Sequence, residues 1–320
     1  MRKWFALLLL VLAVDIAAES ETLSICSFNI KWLGYSTTRD NVTLARVLSN
    51  FDVIAIQEIV APPYSGTFPS GDSYRTDPEV SAFFDEMIAA HGYEFLLSVE
   101  DTGTKVSNDD NSSWTEWFAV FYNPSILEPA SHLPESYIED DVTANIVFDR
   151  VPHAFSLRHL ATGFDFVLVS VHLQAGHSSA DAQAREHELD TISAWVADQQ
   201  NGETHYVILG DMNFDDCDEI RNAVPAAFRY LNPTADDACL GTNTSLSKQY
   251  PYDNVLLSSS IPQNSSSGLA VIDLVDGLFA IWNPLGEPVN QAYKEYGFVD
   301  MFSDHNPIAF QIETPADDSD

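Results

Sequence analysis

Basic residues are scarce in this chain. Fourteen lysines and arginines stand against 48 acids in 320 residues, a formal net charge of -34. Such a surface repels polyanions, so no broad electrostatic face for nucleic acid is evident. Two readings of the acidity stay open. It suits a salty exterior, where screening shortens the reach of charge. Alternatively, substrate contact is local and made through a divalent cation that reverses the sign at the site. Cysteine is also sparse, with three residues and no CxxC pair. There is no HExxH and no Walker A loop. No GxSxG elbow occurs, so acyl transfer by serine lacks a signature. After the first residues no apolar run is long enough to span a membrane. No internal repeat and no Pro/Ser-rich linker divides the chain.

The start, MRKWFALLLLVLAV, has a basic end and an apolar stretch, with small residues at Ala17 and Ala18. This is the pattern of a secretory signal. We expect residues 1–18 to be removed, 19–313 to form one domain and 314–320 to be an acidic tail. A buried first strand or helix is the alternative. Export would permit disulfides. Cys217 and Cys239 share a polar region and form the preferred pair, with Cys26 as a buried free thiol; three free thiols remain the alternative. Hydrophobic content of 45% with 12% aromatics excludes a wholly disordered chain.

Short apolar runs read as buried strands, near 22–29, 51–57, 93–99, 116–122, 152–158, 164–171, 205–210, 252–257 and 306–312. Helices are expected over 39–50, 77–91 and from a Ser178/Asp181 capping box to about Gln200. So few helices cannot cover a single parallel sheet on both faces. An α/β fold of two sheets packed face to face, helices outside, uses the apolar surface better.

Polar residues sit at the ends of these runs: Asn29, Glu58, His172, Asp211 with Asn213, Asp253, and Asp304 with His305. If the strands pair partly antiparallel, one rim gathers them. Cleaving a phosphodiester requires neutralised phosphoryl oxygens, an activated water and help for the leaving oxygen. Hard cations prefer carboxylates, which makes Glu58 a natural ligand and Asp304 a second. In GDMNFD, Asp211 and Asn213 would point to one face of an extended segment, to orient water and hold a phosphate oxygen. Asp304 and His305 would point oppositely in an extended strand, so His305 needs another carboxylate, with Asp253 the candidate. Glu116 could hydrogen-bond His172 and hold it protonated. Arg150 could clamp a phosphate through its fork. Taken singly, each has an ordinary reading: a solvated strand cap, a hairpin turn, a satisfied core histidine, a salt bridge. Sequons occur at Asn41, Asn111, Asn243 and Asn264.

Read in order, SFNIKWLG, IAIQEI, SSWTEWFAVFY, FDRVPHAF, SVHLQAG, GDMNFD, PYDNVLL and SDHNPI resemble the motifs of the endonuclease/exonuclease/phosphatase superfamily, most closely its DNase I-like nucleases. The resemblance runs from about Leu23 to Ile312. It implies a four-layer sandwich of two mixed β-sheets with helices outside. It implies metal binding by Glu58, Asp304 and Asn29, with Asn29, Asn213 and Arg150 at the phosphate. It makes His172, supported by Glu116, and His305, supported by Asp253, the catalytic histidines, with Asp211 positioning the water. It makes Cys217–Cys239 similar to a disulfide that follows the GDxN motif. Thr242 and Thr244 fall near a structural calcium site, although the local spacing differs. Trp114 stands where a tyrosine is usual. Val60-Ala61-Pro62-Pro63 follows Glu58 where such nucleases have a groove-binding arginine, so groove contact should differ.

The expectation is therefore a secreted (extracellular or periplasmic), Mg2+- or Mn2+-dependent phosphodiesterase. It would be a monomeric endonuclease acting on DNA with little sequence preference and no stable membrane association. The alternatives are a sphingomyelin or inositol-phosphate hydrolase of the same fold, and a non-catalytic binding module.

Overall fold

A computed structural model describes residues 21–35, 38–102, 115–139, 145–199, 204–232, 238–295 and 297–315. The expected signal segment, Trp114, Asn111 and the end of the tail lie outside the described residues.

Two mixed sheets stack face to face. The first orders its strands Ala270–Val271, Ile308–Thr314, Glu21–Leu33, Val53–Ile59, Trp117–Tyr122, Glu94–Leu97. The second orders Phe228–Tyr230, Asp253–Ser258, His205–Asp211, Asp165–His172, His153–His159, Leu127–Pro129, with Ser136–Tyr137 also on the His153–His159 strand. Alternation drives the layering. In Trp117–Tyr122, Phe118, Val120 and Tyr122 face the partner sheet, while Trp117, Ala119 and Phe121 face an outer helical layer. That layer holds Asn41–Leu48, Pro78–Asp85 and short helices between Leu274 and Met301. On the far side the long helix Ser179–Gln199 covers the second sheet through Leu189, Ile192 and Val196. The result is the expected sandwich of helices, sheet, sheet and helices.

All nine expected strands form. The short strands and short helices were not foreseen, since two to seven residues carry no readable period. Capping follows the sequence closely. The Asp40 side chain accepts from Thr43 N, and Asp77 accepts from Glu79 N ahead of Pro78. Ser178 Oγ accepts from Asp181 N at 3.2 Å while Asp181 Oδ2 accepts from Ser178 N at 2.9 Å, the reciprocal box. Beyond Asp85 the expected second helix continues as a π-helical turn, Glu86–Ala90. The turn-rich loop after Glu58 folds a small hairpin, Gly66–Thr67 with Ser73–Tyr74. The Cys217–Cys239 disulfide is formed, and Cys26 is a buried free thiol.

Strand register sets up the site. His172 pairs with Asp211, and Asp211 with Asp253, so three polar residues stand abreast at one end of the second sheet. Gly210 makes that approach feasible. It has φ +143°, and a Cβ there would lie 2.0 Å from the Val171 carbonyl oxygen.

Candidate active site

The site forms where the rims of the two sheets meet. By strict alternation Glu58 would join Ile54 and Ile56 under the outer helices. Register shifts on both flanks of its strand and a left-handed φ of 61° turn it to the rim instead. Lys31, Trp32 and Asn213 are also left-handed, at 54°, 50° and 54°. Each such residue costs about 1–3 kcal/mol, which the packed surroundings must offset.

Asn29, fully buried, ties the sheets together. Its Nδ2 donates to Glu58 Oε1 at 2.8 Å and to Asp211 Oδ2 at 3.0 Å, and its Oδ1 accepts from Lys31 N at 2.9 Å. With both ends of its amide engaged, Asn29 aligns carboxylates and is not among the cavity-lining residues. Trp32 N donates to the other Glu58 oxygen at 3.0 Å.

The two histidines flank one oxygen. Nε2 of His172 and Nε2 of His305 each lie 3.5 Å from Asp211 Oδ2. Behind them, His172 Nδ1 is 2.9 Å from Glu116 Oε2, and His305 Nδ1 is 2.8 Å from Asp253 Oδ2. Each pair straddles the sandwich. Glu116 precedes a first-sheet strand and His172 ends a second-sheet strand; Asp253 opens a second-sheet strand and His305 precedes a first-sheet one. Deeper in, Gln57 Nε2 reaches Ser170 Oγ at 3.2 Å across the same gap.

Three expectations are corrected. Asp304 and His305 do not alternate on a strand: the strand begins at Ile308, and both side chains line the same cavity from the preceding loop. Asn213 is not extended. Its left-handed backbone lets its own N–H donate to Asp211 Oδ1 at 2.9 Å, and its Nδ2 donates to the Leu173 carbonyl at 3.1 Å. Thr242 and Thr244 do not offer free oxygens to an ion. The Thr242 hydroxyl accepts from Asp253 N at 2.9 Å, and the Thr244 hydroxyl donates to the Ser303 carbonyl at 3.1 Å. Both brace the loops that carry Asp253 and Asp304.

Arg150 lines the cavity with much of its fork committed. It donates to the carbonyls of His172 and Leu173 at 3.0 and 2.8 Å and to Asp149 at 2.8 Å, with Glu116 at 3.6 Å. Only one N–H on each terminal nitrogen is left for a ligand. Two buried residues were missed from sequence. Arg185 donates to the carbonyls of Gln174 and Gly176, and Glu188 accepts from Gln174 N at 2.8 Å and Asp149 N at 3.1 Å. They clamp the chain that follows His172 and leads into Arg150. The available signal was two charges on the apolar stripe of Leu189, Ile192 and Val196. Of the sequon residues, Asn243 is buried, with its amide bonded to Lys248 O and Tyr250 N.

Burial and crowded charge set the protonation. Burial, with Glu116 nearby, pushes the Glu58 carboxyl up to about 6 against the pull of His172. Burial also works to raise Glu116, but His172 and Arg150 outweigh it and hold its carboxyl below the ordinary value. Asp211 is likewise held low, because His305 and His172 overcome its burial. Burial wins at Asp253, which is raised. Burial would lower both histidines. His172 is nonetheless raised by Glu116 and Asp211, and His305 is held well above its ordinary value by Asp253 and Asp211.

The cavity, of about 400 Å³, is lined by Trp32, Glu58, His172, Asp211, Asp304 and His305 among others. Glu58, His172 and Asp211 place ligand atoms within 4.8 Å of one another, as do Asp211, Asp253 and His305. Asp304 lies in neither cluster, although its charge adds to the upward push on Glu58. Buried carboxylates this close favour a divalent cation, whose charge would offset their repulsion. An oxygen-rich donor set fits a hard one.

A rim of acids and paired histidines at the mouth of a two-sheet sandwich defines an equipment class for phosphoester hydrolysis. The chain belongs to the Endonuclease/Exonuclease/phosphatase family, whose model matches residues 26–305. Over 214 residues it is 25% identical to a protein named Deoxyribonuclease from Thioalkalivibrio sp. (strain K90mix). That match covers 65% of this chain and 50% of the relative, so the chain spans about half that relative's length. Solved structures share the fold. An endonuclease/exonuclease/phosphatase family protein from Bacteroides thetaiotaomicron superposes with TM-score 0.58 at 13% identity, covering 92% of this chain and 99% of its own. A mannosyl-6-phosphatase from the same species gives 0.55 at 13%, covering 90% and 98%. D. rerio TDP2 complexed with single strand DNA product gives 0.53 at 15%, covering 91% and 98%.

Proposed function

We propose that this protein is a secreted, divalent-metal-dependent phosphodiesterase, an endonuclease that hydrolyses DNA with little sequence preference. The observation that carries the reading is the pair of imidazoles facing one Asp211 oxygen at 3.5 Å each, with Glu58 beside them. Two proton-handling groups stand at one point, so a phosphate bound there would have both within reach.

Glu58 would hold the cation, with an Asp211 oxygen within 4.8 Å of its carboxylate, Asp304 lining the same cavity, and Asn29 setting the positions of Glu58 and Asp211. When bound, a divalent cation supplies charge against the phosphoryl oxygens and makes a coordinated water more acidic. Asp211, held ionised, accepts a hydrogen bond from the attacking water, orients it and takes up the proton the water sheds as its oxygen bonds to phosphorus. His172, kept protonated by Glu116, donates toward a phosphoryl oxygen. His305, kept protonated by Asp253, stands where it can donate to the leaving oxygen. Asn213 and the free edge of Arg150 face the same phosphate.

The basic and apolar start of the sequence supports export, and the Cys217–Cys239 bridge suits an oxidising compartment. The named relative supports DNA as substrate.

Nicking of supercoiled plasmid by the purified protein, titrated with magnesium and sodium chloride and reversed by chelation, tests the proposal. Cleavage that depends on magnesium is the expected result. Sphingomyelin or inositol-phosphate hydrolysis without plasmid nicking would replace DNA as the substrate. Inertness toward DNA, RNA and model diesters would leave only a binding module.

A further inference from the structure

The cavity has a larger neighbour. A recess of about 660 Å³ opens beside it, walled by Tyr252, Tyr293 and Lys294, with Asn243, Ser245 and Asn290 between them. The two share Tyr252, Asp304 and His305, so they are lobes of one groove. A strand held at His305 extends into the recess or into solvent.

The lining favours the recess. Both tyrosines are braced by another ring. Tyr252 stacks on Tyr250 with centroids 4.9 Å apart and planes 6° apart, and Tyr293 stacks on Phe298 at 4.9 Å and 21°. The Tyr293 hydroxyl is fixed by the Thr244 hydroxyl at 3.0 Å. Rings held this way lose little freedom when a planar ligand stacks on them. Lys248 Nζ sits 4.1 Å over Tyr250, behind Tyr252. Lys294 makes no ion pair among the described residues. On a chain with only 14 basic residues, a cation beside two tyrosines, amides and a hydroxyl is an unusual concentration of what a nucleotide needs. The volume falls within the ~300–1,000 Å³ of ordinary ligand sites.

We propose, resting on the reading that the protein cuts DNA, that this recess receives the nucleotide next to the scissile phosphate as an unpaired unit. Its base lies against Tyr252 or Tyr293 and its phosphate against Lys294. A base inside an intact duplex has both faces covered by its neighbours and must leave the stack to use such a wall. The enzyme therefore prefers single-stranded DNA to duplex. Stacking is sequence-tolerant and does not depend on a basic surface, which suits a protein of this charge.

Short strands with one ordinary linkage among phosphorothioates fix the cut position and test the idea. A single base-free nucleotide is moved along them, and cleavage with magnesium is compared with the same sequence as duplex. The single strand should be cut about ten-fold faster or more. The base-free unit should lower kcat/KM about ten-fold at one flanking position and little elsewhere. Tyr293→Leu and Lys294→Gln should raise KM on the intact strand more than they lower kcat, and Tyr293→Phe should restore KM. Equal cleavage of strand and duplex, or indifference to the base-free unit at every position, overturns the inference while leaving the nuclease reading intact. Failure to cut any DNA, with another phosphodiester hydrolysed, overturns both.

Discussion

The two histidine–carboxylate pairs look alike and are supported differently. Each spans the gap between the sheets, and each aims its outer nitrogen at Asp211. Behind Glu116 stands Arg150, itself fastened to the backbone of His172 and Leu173. The groups facing Asp253 are His305, the Thr242 hydroxyl and the like charge of Asp211, and its Oδ1 has no hydrogen-bond partner among the described residues. A buried carboxylate with two cations stays ionised, whereas one with a single imidazole keeps a burial penalty. The first pair is thus a triad with its charge offset from behind. The second depends on its own histidine.

The common oxygen is the largest lever on this comparison. Asp211→Asn should lower DNA cleavage roughly 10⁴-fold, more than His172→Gln or His305→Gln alone, since it weakens both pairs at once. Rates of the three variants measured together would break the picture if either histidine variant proved worse. Arg150→Met comes next. It strands buried carbonyls and a buried carboxylate, so urea melts should show a loss of about 3–5 kcal/mol. Its charge lowers both Glu116 and His172, so both should titrate higher in the variant while His305 stays put. Imidazole resonances followed against pH would report this directly.

pH separates the pairs further. His305 is raised above its ordinary 6.5. Its attraction to Asp253 and Asp211 is therefore fully stabilising below that pH and is lost as pH rises through the elevated value. Glu116 is depressed from 4.5, so its contribution is present above that pH and lost as pH falls through the lowered value. The destabilisation caused by His305→Gln should shrink toward alkaline pH, and that of Glu116→Gln toward acid. Melts of both variants that lose stability in parallel across pH would refute the distinction.

The smallest effect concerns the outer brace of the first pair. Burial raises Glu188 from 4.5 to about 7. A carboxyl raised in the fold subtracts stability as pH climbs through that interval. Glu188→Gln should cost about 1–2 kcal/mol at acid pH, where one backbone N–H loses its acceptor. The loss should disappear or turn into a gain by pH 8, and kcat should change little. Thermal melts at pH 5 and pH 8 would check it.

How much of this could be read in the chain depends on the range of the interaction. Local preferences were legible: the Ser178/Asp181 box, the Asp77-Pro78 start and every long apolar strand. So were the polar residues that end those strands, because a polar side chain there breaks an apolar pattern. Illegible were features set by distant partners. Glu58 faces the site through two register shifts that no local period records. Asn213 and the Asp304–His305 loop adopt conformations fixed by tertiary bonds. Arg185 and Glu188 look like solvated helix charges until the loops they hold are seen.

By itself, then, the sequence determined the strands, their caps and the stock of acids, histidines and asparagines at their ends. Folding alone decided which of these meet. Both histidine–carboxylate pairs and the Asn29 bridge join residues from opposite sheets, separated along the chain by 52 to 182 positions. The reason is physical: apolar burial brings the two sheets together without regard to chemistry, and only the register in which they lock places one histidine on each side of Asp211.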